Sequence, residues 1–314
     1  TGTSLAGYLS TLKPAPTADA TLIKDIAYGP HERNKLDLYL VKSDKPTPLA
    51  IYIHGGGYRA GDKSTISYDN LKGFTEAGLS VAALNYRYST TAPYPAPMLD
   101  CAKALQFLRL NAARYNIDPD RFGAWGGSAG AGISMWLGYH DDLAKPNAES
   151  ELERQSTRVK VVGCISGQPS LDPRVWNEMF QKDLPTVDFF EYETLHDLFG
   201  VTPETARTPE ALLRYTDASM ITHLTADDPP VYAGYSQRDV PVKNQNEAIH
   251  HPAHGRLLMA AYDRLKLPYV LRIASDQGWK DGAKVEVGEL PSIFDYFASL
   301  LAEDEADKAG PAQR

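Results

Sequence analysis

Short, uninterrupted apolar runs alternate along this chain with segments whose apolar residues recur at helical spacing. Residues 49–53 and 79–84 are continuous apolar runs, as expected of strands buried on both faces of a sheet. Residues 98–112 place apolar side chains three or four apart, which predicts an amphipathic helix. Strands that alternate with helices predict an α/β fold with a mainly parallel sheet and helices on both faces. The two leading strands, 26–28 and 36–41, are expected to pair antiparallel at one edge.

The alternation continues later in the chain and is interrupted once. Further strands are expected at residues 121–125, 159–165, 231–235 and 269–273, with helices following most of them. Residues 167–228 interrupt the pattern and are rich in aromatic side chains, so we expect a cap-like insertion that also packs on the body. We predict a single domain over 1–314, ending in a frayed tail at 303–314.

Composition excludes several classes of protein. The chain has 314 residues, of which 43% are hydrophobic, and a net charge of −8 without any Lys/Arg run, which disfavours nucleic-acid binding. No apolar stretch approaches the ~20 residues of a membrane-spanning helix. Two cysteines, Cys101 and Cys164, are too few for a disulfide scaffold or zinc cluster. We expect a soluble protein. The start at Thr1 fits a processed secreted or periplasmic protein as well as a trimmed chain.

Residues 126–130, Gly-Gly-Ser-Ala-Gly, follow a predicted strand and open a predicted helix. This is the G-x-S-x-G pattern in the strand-turn-helix setting that it requires, and it indicates Ser128 as a nucleophile. The small neighbours allow a sharp turn, and the helix start offers backbone N–H groups to an oxyanion. The alternative is a simple glycine-rich turn.

A second glycine-rich segment, His54-Gly55-Gly56-Gly57-Tyr58, follows the buried strand 49–53. Three glycines let the backbone approach a substrate carbonyl closely. A phosphate-binding loop is disfavoured because neither G-x-G-x-x-G nor a G-K-[ST] ending is present. We expect His54 to hold the loop and not to act as a base.

The two glycine motifs, with residues 54–63 extending the first, resemble the α/β-hydrolase superfamily over roughly residues 25–275. The nearest resemblance is to its esterase branch, which includes hormone-sensitive-lipase-like and bacterial feruloyl and acetyl-xylan esterase-like enzymes. The resemblance implies an oxyanion hole at Gly56, Gly57 and Ala129. It also implies hydrolysis of short-acyl or carbohydrate-linked carboxylic esters, without a metal or organic cofactor and with a small-molecule ester as the partner.

Asp239 follows the predicted strand 231–235, where the resemblance places the acid of the catalytic triad. A carboxylate there can orient an imidazole and stabilise its charged form. The alternative is an aspartate that caps a turn. Asp227 and Asp228 precede the same strand and should lie at the opposite edge of the sheet.

The general base is the problem of this sequence, because no histidine follows His254 and Gln277 stands where the resemblance implies one. Glutamine cannot take a proton from serine. We therefore predict that His251, or as second choice His250, supplies the base from the start of the helix after Asp239. Its ring nitrogen should then lie within about 3.5 Å of Ser128 Oγ, or one water away. A helix cap and a metal site are the alternatives for this pair.

Two functions remain open from the sequence. The first is a serine carboxylic ester hydrolase with an unusually placed histidine. The second is a catalytically silent relative that binds a ligand in the pocket where the active site would lie. Gln277, in place of the implied histidine, favours this second function. The oligomeric state stays open.

Overall fold

The computed structural model describes residues 20–274 and 277–302. Within these ranges the strands form one sheet of ten: β1 (Ala20–Ala27), β2 (Lys35–Val41), β3 (Thr47–Ile53), β4 (Ser80–Leu84), β5 (Ile117–Gly127), β6 (Val161–Ile165), β7 (Val231–Tyr235), β8 (Tyr269–Ile273), β9 (Gln277–Lys280) and β10 (Ala283–Val285).

The centre of the sheet is parallel and both margins are antiparallel. The strand order is β1-β2-β4-β3-β5-β6-β7-β8-β9-β10, and the strands from β4 to β8 in that order run parallel. β1 pairs antiparallel with β2, and β2 with β4. β9 and β10 continue the sheet antiparallel beyond β8. The loops after β3, β5 and β7 therefore share one edge, where polar side chains from different strands can meet.

Helices lie on both faces of this sheet. They are α1 (Tyr68–Glu76), α2 (Ala96–Leu110), α3 (Ala112–Tyr115), α4 (Ala129–Tyr139), α5 (Pro173–Phe180), α6 (Glu193–Phe199), α7 (Pro209–Ala218), α8 (Gln245–Ile249), α9 (Ala253–Leu265) and α10 (Ile293–Leu300).

Side chains alternate across β5 to build two cores. Phe122 belongs to the core shared with α2, α4 and α9. Trp125 points the other way and packs against Phe74 of α1, with ring centroids 4.9 Å apart. Phe297 of α10 closes that second core, 5.4 Å from Phe74. Residues 122–126 of β5 are buried on both faces, which is why this part of the strand is continuously apolar.

Local signals set the ends of some helices. Ser67 caps α1, because its Oγ accepts a hydrogen bond from the Asn70 N–H at 3.2 Å. Gly78, with φ +81°, follows the end of that helix in the left-handed conformation that glycine adopts readily.

The predicted α/β fold, with a mainly parallel sheet and an antiparallel leading edge, is confirmed. β1 begins at Ala20, six residues earlier than predicted. The hairpin of β9 and β10 was not predicted, because its strands are short and largely polar. The predicted tail at 303–314 lies outside the described residues.

Candidate active site

Ser128 lies on a strained turn between β5 and α4. Its backbone has φ 52° and ψ −120°, a conformation that L-residues rarely adopt. The turn fits only because its neighbours are small: a Cβ on Gly126 would lie 2.3 Å from Ile53 O, and one on Gly130 would lie 2.0 Å from the same atom. The Ser128 N–H donates to Ile165 O at 2.9 Å, which anchors the turn to β6. The predicted strand-turn-helix elbow is present.

The glycine loop after β3 packs directly against this elbow. A Cβ on Gly55 would lie 2.8 Å from Gly127 O and 3.6 Å from the Cβ of Ser128. Gly56 has φ +111°, and a Cβ there would lie 2.3 Å from Ala60 O. The loop can approach the serine this closely only without side chains.

The predicted oxyanion donors flank Ser128 on two sides. Gly56 and Gly57 come from the loop after β3, and Ala129 is the first residue of α4. Within the described ranges, the backbone N–H groups of these three residues donate to no protein acceptor. Such groups can stabilise negative charge that develops on a substrate oxygen.

His54 is a structural residue of the loop, as predicted. Its ring is fully buried, stacks on Tyr86 at 4.3 Å, and places Nδ1 2.8 Å from Gly55 O and Nε2 3.2 Å from the Arg33 guanidinium. Burial lowers the pKa of His54 to about 4, so the ring is neutral at pH 7.

His250 is the histidine that meets the serine. Its Nε2 lies 2.9 Å from Ser128 Oγ, and the side chain is half-buried. Desolvation by burial lowers the pKa of His250 below its ordinary value, which favours the neutral imidazole. The residue lies in the short break between α8 and α9. Gln168 fixes that break, since its Nε2 donates to Ile249 O at 2.6 Å.

His251, the first choice from the sequence, has other partners than the serine at both ring nitrogens. Its Nδ1 accepts a hydrogen bond from the Ala253 N–H at 3.1 Å, so Nε2 carries the proton and donates to Val240 O at 3.0 Å. The side chain is buried. His251 therefore caps the start of α9, which is the alternative that the sequence analysis left open. The distance expected of a base is met by His250 instead.

Asp239 lies on the predicted loop after β7, but its contacts differ from those of a triad acid. One carboxylate oxygen pairs with the Arg256 guanidinium, with the Nε–Oδ2 distance at 2.5 Å. The other oxygen lies 4.0 Å from His251 Nε2. In the described part of the chain, no carboxylate oxygen comes within 4.0 Å of a His250 ring nitrogen. Asp239 is thus close to the histidine pair without bonding to His250.

Gln277 opens β9 and pairs with Ile273 of β8. It lines a small cavity of about 230 Å³ together with Asp239 and Val240. The position where the resemblance implies a histidine therefore lies beside Asp239.

The insertion contacts both halves of the site. Arg59, two residues after Gly57, pairs with Asp197 of α6 at 2.7 Å. At the other end, the Phe180 ring meets His251 edge-on, with centroids 5.7 Å apart. Sequence reasoning missed Gln168, Arg59 and Arg256, since each acts through a partner distant in the chain.

Two features are absent from the described residues. Among residues 20–274 and 277–302, no group of three or more His, Cys, Asp or Glu side chains is arranged to hold a metal ion. No helix in those ranges combines the length and the apolarity needed to cross a bilayer.

The chain is similar to known esterases in sequence. The family model described as BD-FAE matches residues 36–251. LipM, a probable carboxylic ester hydrolase of Mycobacterium tuberculosis, is 28% identical over 225 residues, which cover 70% of this chain and 49% of LipM. The chain thus spans about half the length of this curated relative.

Solved structures share the fold. An acetyl ester-xyloside bifunctional hydrolase from Caldicellulosiruptor lactoaceticus has a TM-score of 0.60 and 24% identity, covering 76% of this chain and 77% of that one. A truncated carbohydrate esterase from gut microbiota has a TM-score of 0.64 and 21% identity, covering 92% of this chain and 99% of that one. The α/β-hydrolase fold and the esterase-branch resemblance are confirmed.

Proposed function

The chain belongs to the BD-FAE family, and from this membership and the site geometry we propose that it is a serine carboxylic ester hydrolase. The observation that carries the proposal is the 2.9 Å contact between Ser128 Oγ and His250 Nε2. A nucleophile within hydrogen-bond reach of a base is the arrangement that acyl transfer requires. LipM, which bears the name of a probable carboxylic ester hydrolase, supports the same reaction class.

The proposed reaction has two halves. Ser128 Oγ attacks the ester carbonyl carbon while His250 Nε2 takes its proton, and the N–H groups of Gly56, Gly57 and Ala129 bind the oxyanion. Collapse of the tetrahedral intermediate breaks the bond to the alcohol, which leaves with the proton from His250. Water then attacks the acyl-enzyme with His250 again as the base, releasing the acid and restoring the serine.

The low pKa of His250 suits this role. A base must be neutral in the resting enzyme, and burial keeps the imidazole unprotonated at pH 7. Proton acceptance at Nε2 requires the tautomer that carries its hydrogen on Nδ1.

We assign Asp239 an indirect role. It holds Arg256 of α9 and lies beside His251, so it fixes the segment on which His250 is carried. In this proposal the serine and His250 act as a pair, without a carboxylate bonded to the base.

The proposed substrates are short-acyl or carbohydrate-linked esters. Two proteins that share the fold are described as an acetyl ester-xyloside hydrolase and a carbohydrate esterase, which favours an acetylated carbohydrate.

A silent relative is the second candidate, because Asp239 is engaged by Arg256 and Gln277 cannot act as a base. Labelling of Ser128 by a fluorophosphonate separates the two, since the reaction needs an activated serine. We expect the wild-type chain to be labelled and to hydrolyse p-nitrophenyl acetate, and the Ser128→Ala variant to do neither. An inert wild type that gains activity in Gln277→His would establish the silent relative instead.

A further inference from the structure

One sizeable cavity of the described chain does not include the serine. A pocket of about 560 Å³ opens between the β1–β2 hairpin and the loops that follow β3 and β4. The start of β2 pairs with the end of β4, so the mouth of this pocket lies at the same sheet edge as Ser128. Neither Ser128 nor either histidine of the pair lines it.

The chemistry of the wall points to a neutral, hydroxyl-rich ligand. The lining holds four Lys or Arg side chains and four Asp or Glu side chains, beside Ser, Thr, Asn and Tyr residues. An anion site would need an excess of cations, and a cation site an excess of carboxylates. An acyl chain would need an apolar wall. Sugar hydroxyls both donate and accept hydrogen bonds, so a balanced set of donors and acceptors suits them.

The floor of the pocket is held rigidly. Lys63 Nζ lies 2.7 Å from Asp37 Oδ1 and 2.9 Å from Asp25 Oδ1. The Asp25 N–H also donates to Asp37 Oδ1 at 2.8 Å, at the bulge where β1 has φ +55°. The Lys63 and Asp37 side chains are only 9% and 5% exposed. Polar groups fixed before binding lower the entropic cost of recognising a ligand.

The pocket wall is joined to the glycine loop. The Arg33 guanidinium lies 3.7 Å over the Tyr88 ring and donates to Gly61 O at 3.2 Å. The Cβ position of Gly61 is 2.4 Å from Gly55 O, and Gly55 in turn packs on Ser128. One loop therefore separates a ligand in the pocket from the reacting serine.

We propose that this pocket is a binding site for a neutral sugar unit of a carbohydrate-linked ester. The sugar would hydrogen-bond to the exposed head groups at the mouth, such as those of Glu32 and Lys35, while the ester reaches Ser128. The inference deepens the proposed function and rests on it for the ester, but not for the binding of sugar itself.

Binding is measured by calorimetry on the Ser128→Ala protein, with xylotetraose and cellotetraose as neutral probes and inorganic phosphate as the anionic probe. The test variant adds Glu32→Ala and Lys35→Ala, two exposed positions of the hairpin. A second variant, Thr91→Trp, fills the mouth of the pocket from an exposed position. The control is Lys160→Ala, an exposed lysine that precedes β6 at the opposite edge of the sheet.

We expect at least one neutral tetrasaccharide to bind, both pocket variants to bind it at least fivefold more weakly, and the control to bind it unchanged. In the active enzyme, the pocket variants should raise KM for acetylated xylotetraose and leave kcat/KM for p-nitrophenyl acetate unaltered. Absence of sugar binding, equal binding by the pocket variants, or preferential binding of phosphate would overturn the site. An enzyme that hydrolyses neither ester would overturn the proposed function, while the calorimetry would still decide the sugar site.

Discussion

The two halves of the candidate site are held by different kinds of structure. Ser128 and the glycine loop follow β5 and β3, which are neighbours at the centre of the sheet. His250 and Asp239 lie on the segment between β7 and α9, where turns and a short helix carry the chain. The first half is tightly packed, since Cβ atoms on four of its glycines would meet backbone atoms within 3 Å: Gly55, Gly56, Gly126 and Gly130. The second half is built from loop segments, which can place a side chain in more than one way.

This contrast explains how a base can come from an unusual place. The chemistry fixes the distance from the base to Ser128 Oγ but not the segment that supplies it. A loop beside the elbow can provide the imidazole, and Gln168 from the insertion secures that loop through Ile249 O. We propose that residues 167–228 act as a cap that also orders the base.

The largest effect is expected from removing the reacting side chain of either half, Ser128 or His250. Ser128→Ala and His250→Ala should each lower kcat for p-nitrophenyl acetate by about 10³-fold or more, and the double variant should lose little beyond either single one. Steady-state kinetics checks this, with His140→Ala, at the far end of α4, as the histidine control. Full activity in His250→Ala would remove His250 from the reaction.

The rigid half is tested next by Gly56→Ala. The added Cβ would lie 2.3 Å from Ala60 O at φ +111°, so the oxyanion loop must shift. We expect kcat to fall by about 10²-fold, the size of a lost oxyanion donor. Gly288→Ala is the matched control, because nothing lies within 4 Å of its Cβ position. Equal kinetics for the two variants would contradict a tight loop.

The loop-built half should respond more weakly to loss of the acid. Asp239→Asn should lower kcat by about tenfold, whereas a carboxylate that orients the base costs about 10⁴-fold. Arg256→Met should have a similar effect, and the double variant should match the single ones, because both residues act through one ion pair. A loss of 10³-fold in Asp239→Asn alone would make Asp239 the orienting acid.

The smallest effect is in the pH profile. The ordinary pKa of histidine is near 6.5, and burial lowers the pKa of His250 below it. The base therefore becomes protonated only at a more acidic pH. The value of kcat/KM should rise with pH, reach half its maximum below pH 6.5, and change by less than about twofold from there to pH 8. Circular dichroism over the same range controls for acid unfolding. A midpoint above pH 7 would exclude a desolvated base.

The same contrast explains which parts of the candidate site could be predicted from the sequence. The elbow is a local feature, because Gly126, Ser128 and Gly130 lie within five consecutive residues. The lack of side chains on the two glycines allows the sharp turn. The choice between His250 and His251 depends on where α8 ends and α9 begins, and a contact 81 residues away helps to set that break. No local pattern reports such a contact. The pairing of Asp239 with Arg256 escaped prediction for the same reason.

Two contacts between the insertion and the body differ in their physical nature. The Arg59–Asp197 pair at the glycine loop is about one-third exposed on each side, so dissolved ions reach it. The Phe180–His251 ring contact is buried, so dissolved ions do not reach it. At physiological ionic strength the Debye length is roughly 8 Å, and further salt shortens it. Added salt should therefore weaken the Arg59–Asp197 contact at the oxyanion side more than the buried Phe180–His251 contact, so that the two attachments can be told apart by ionic strength.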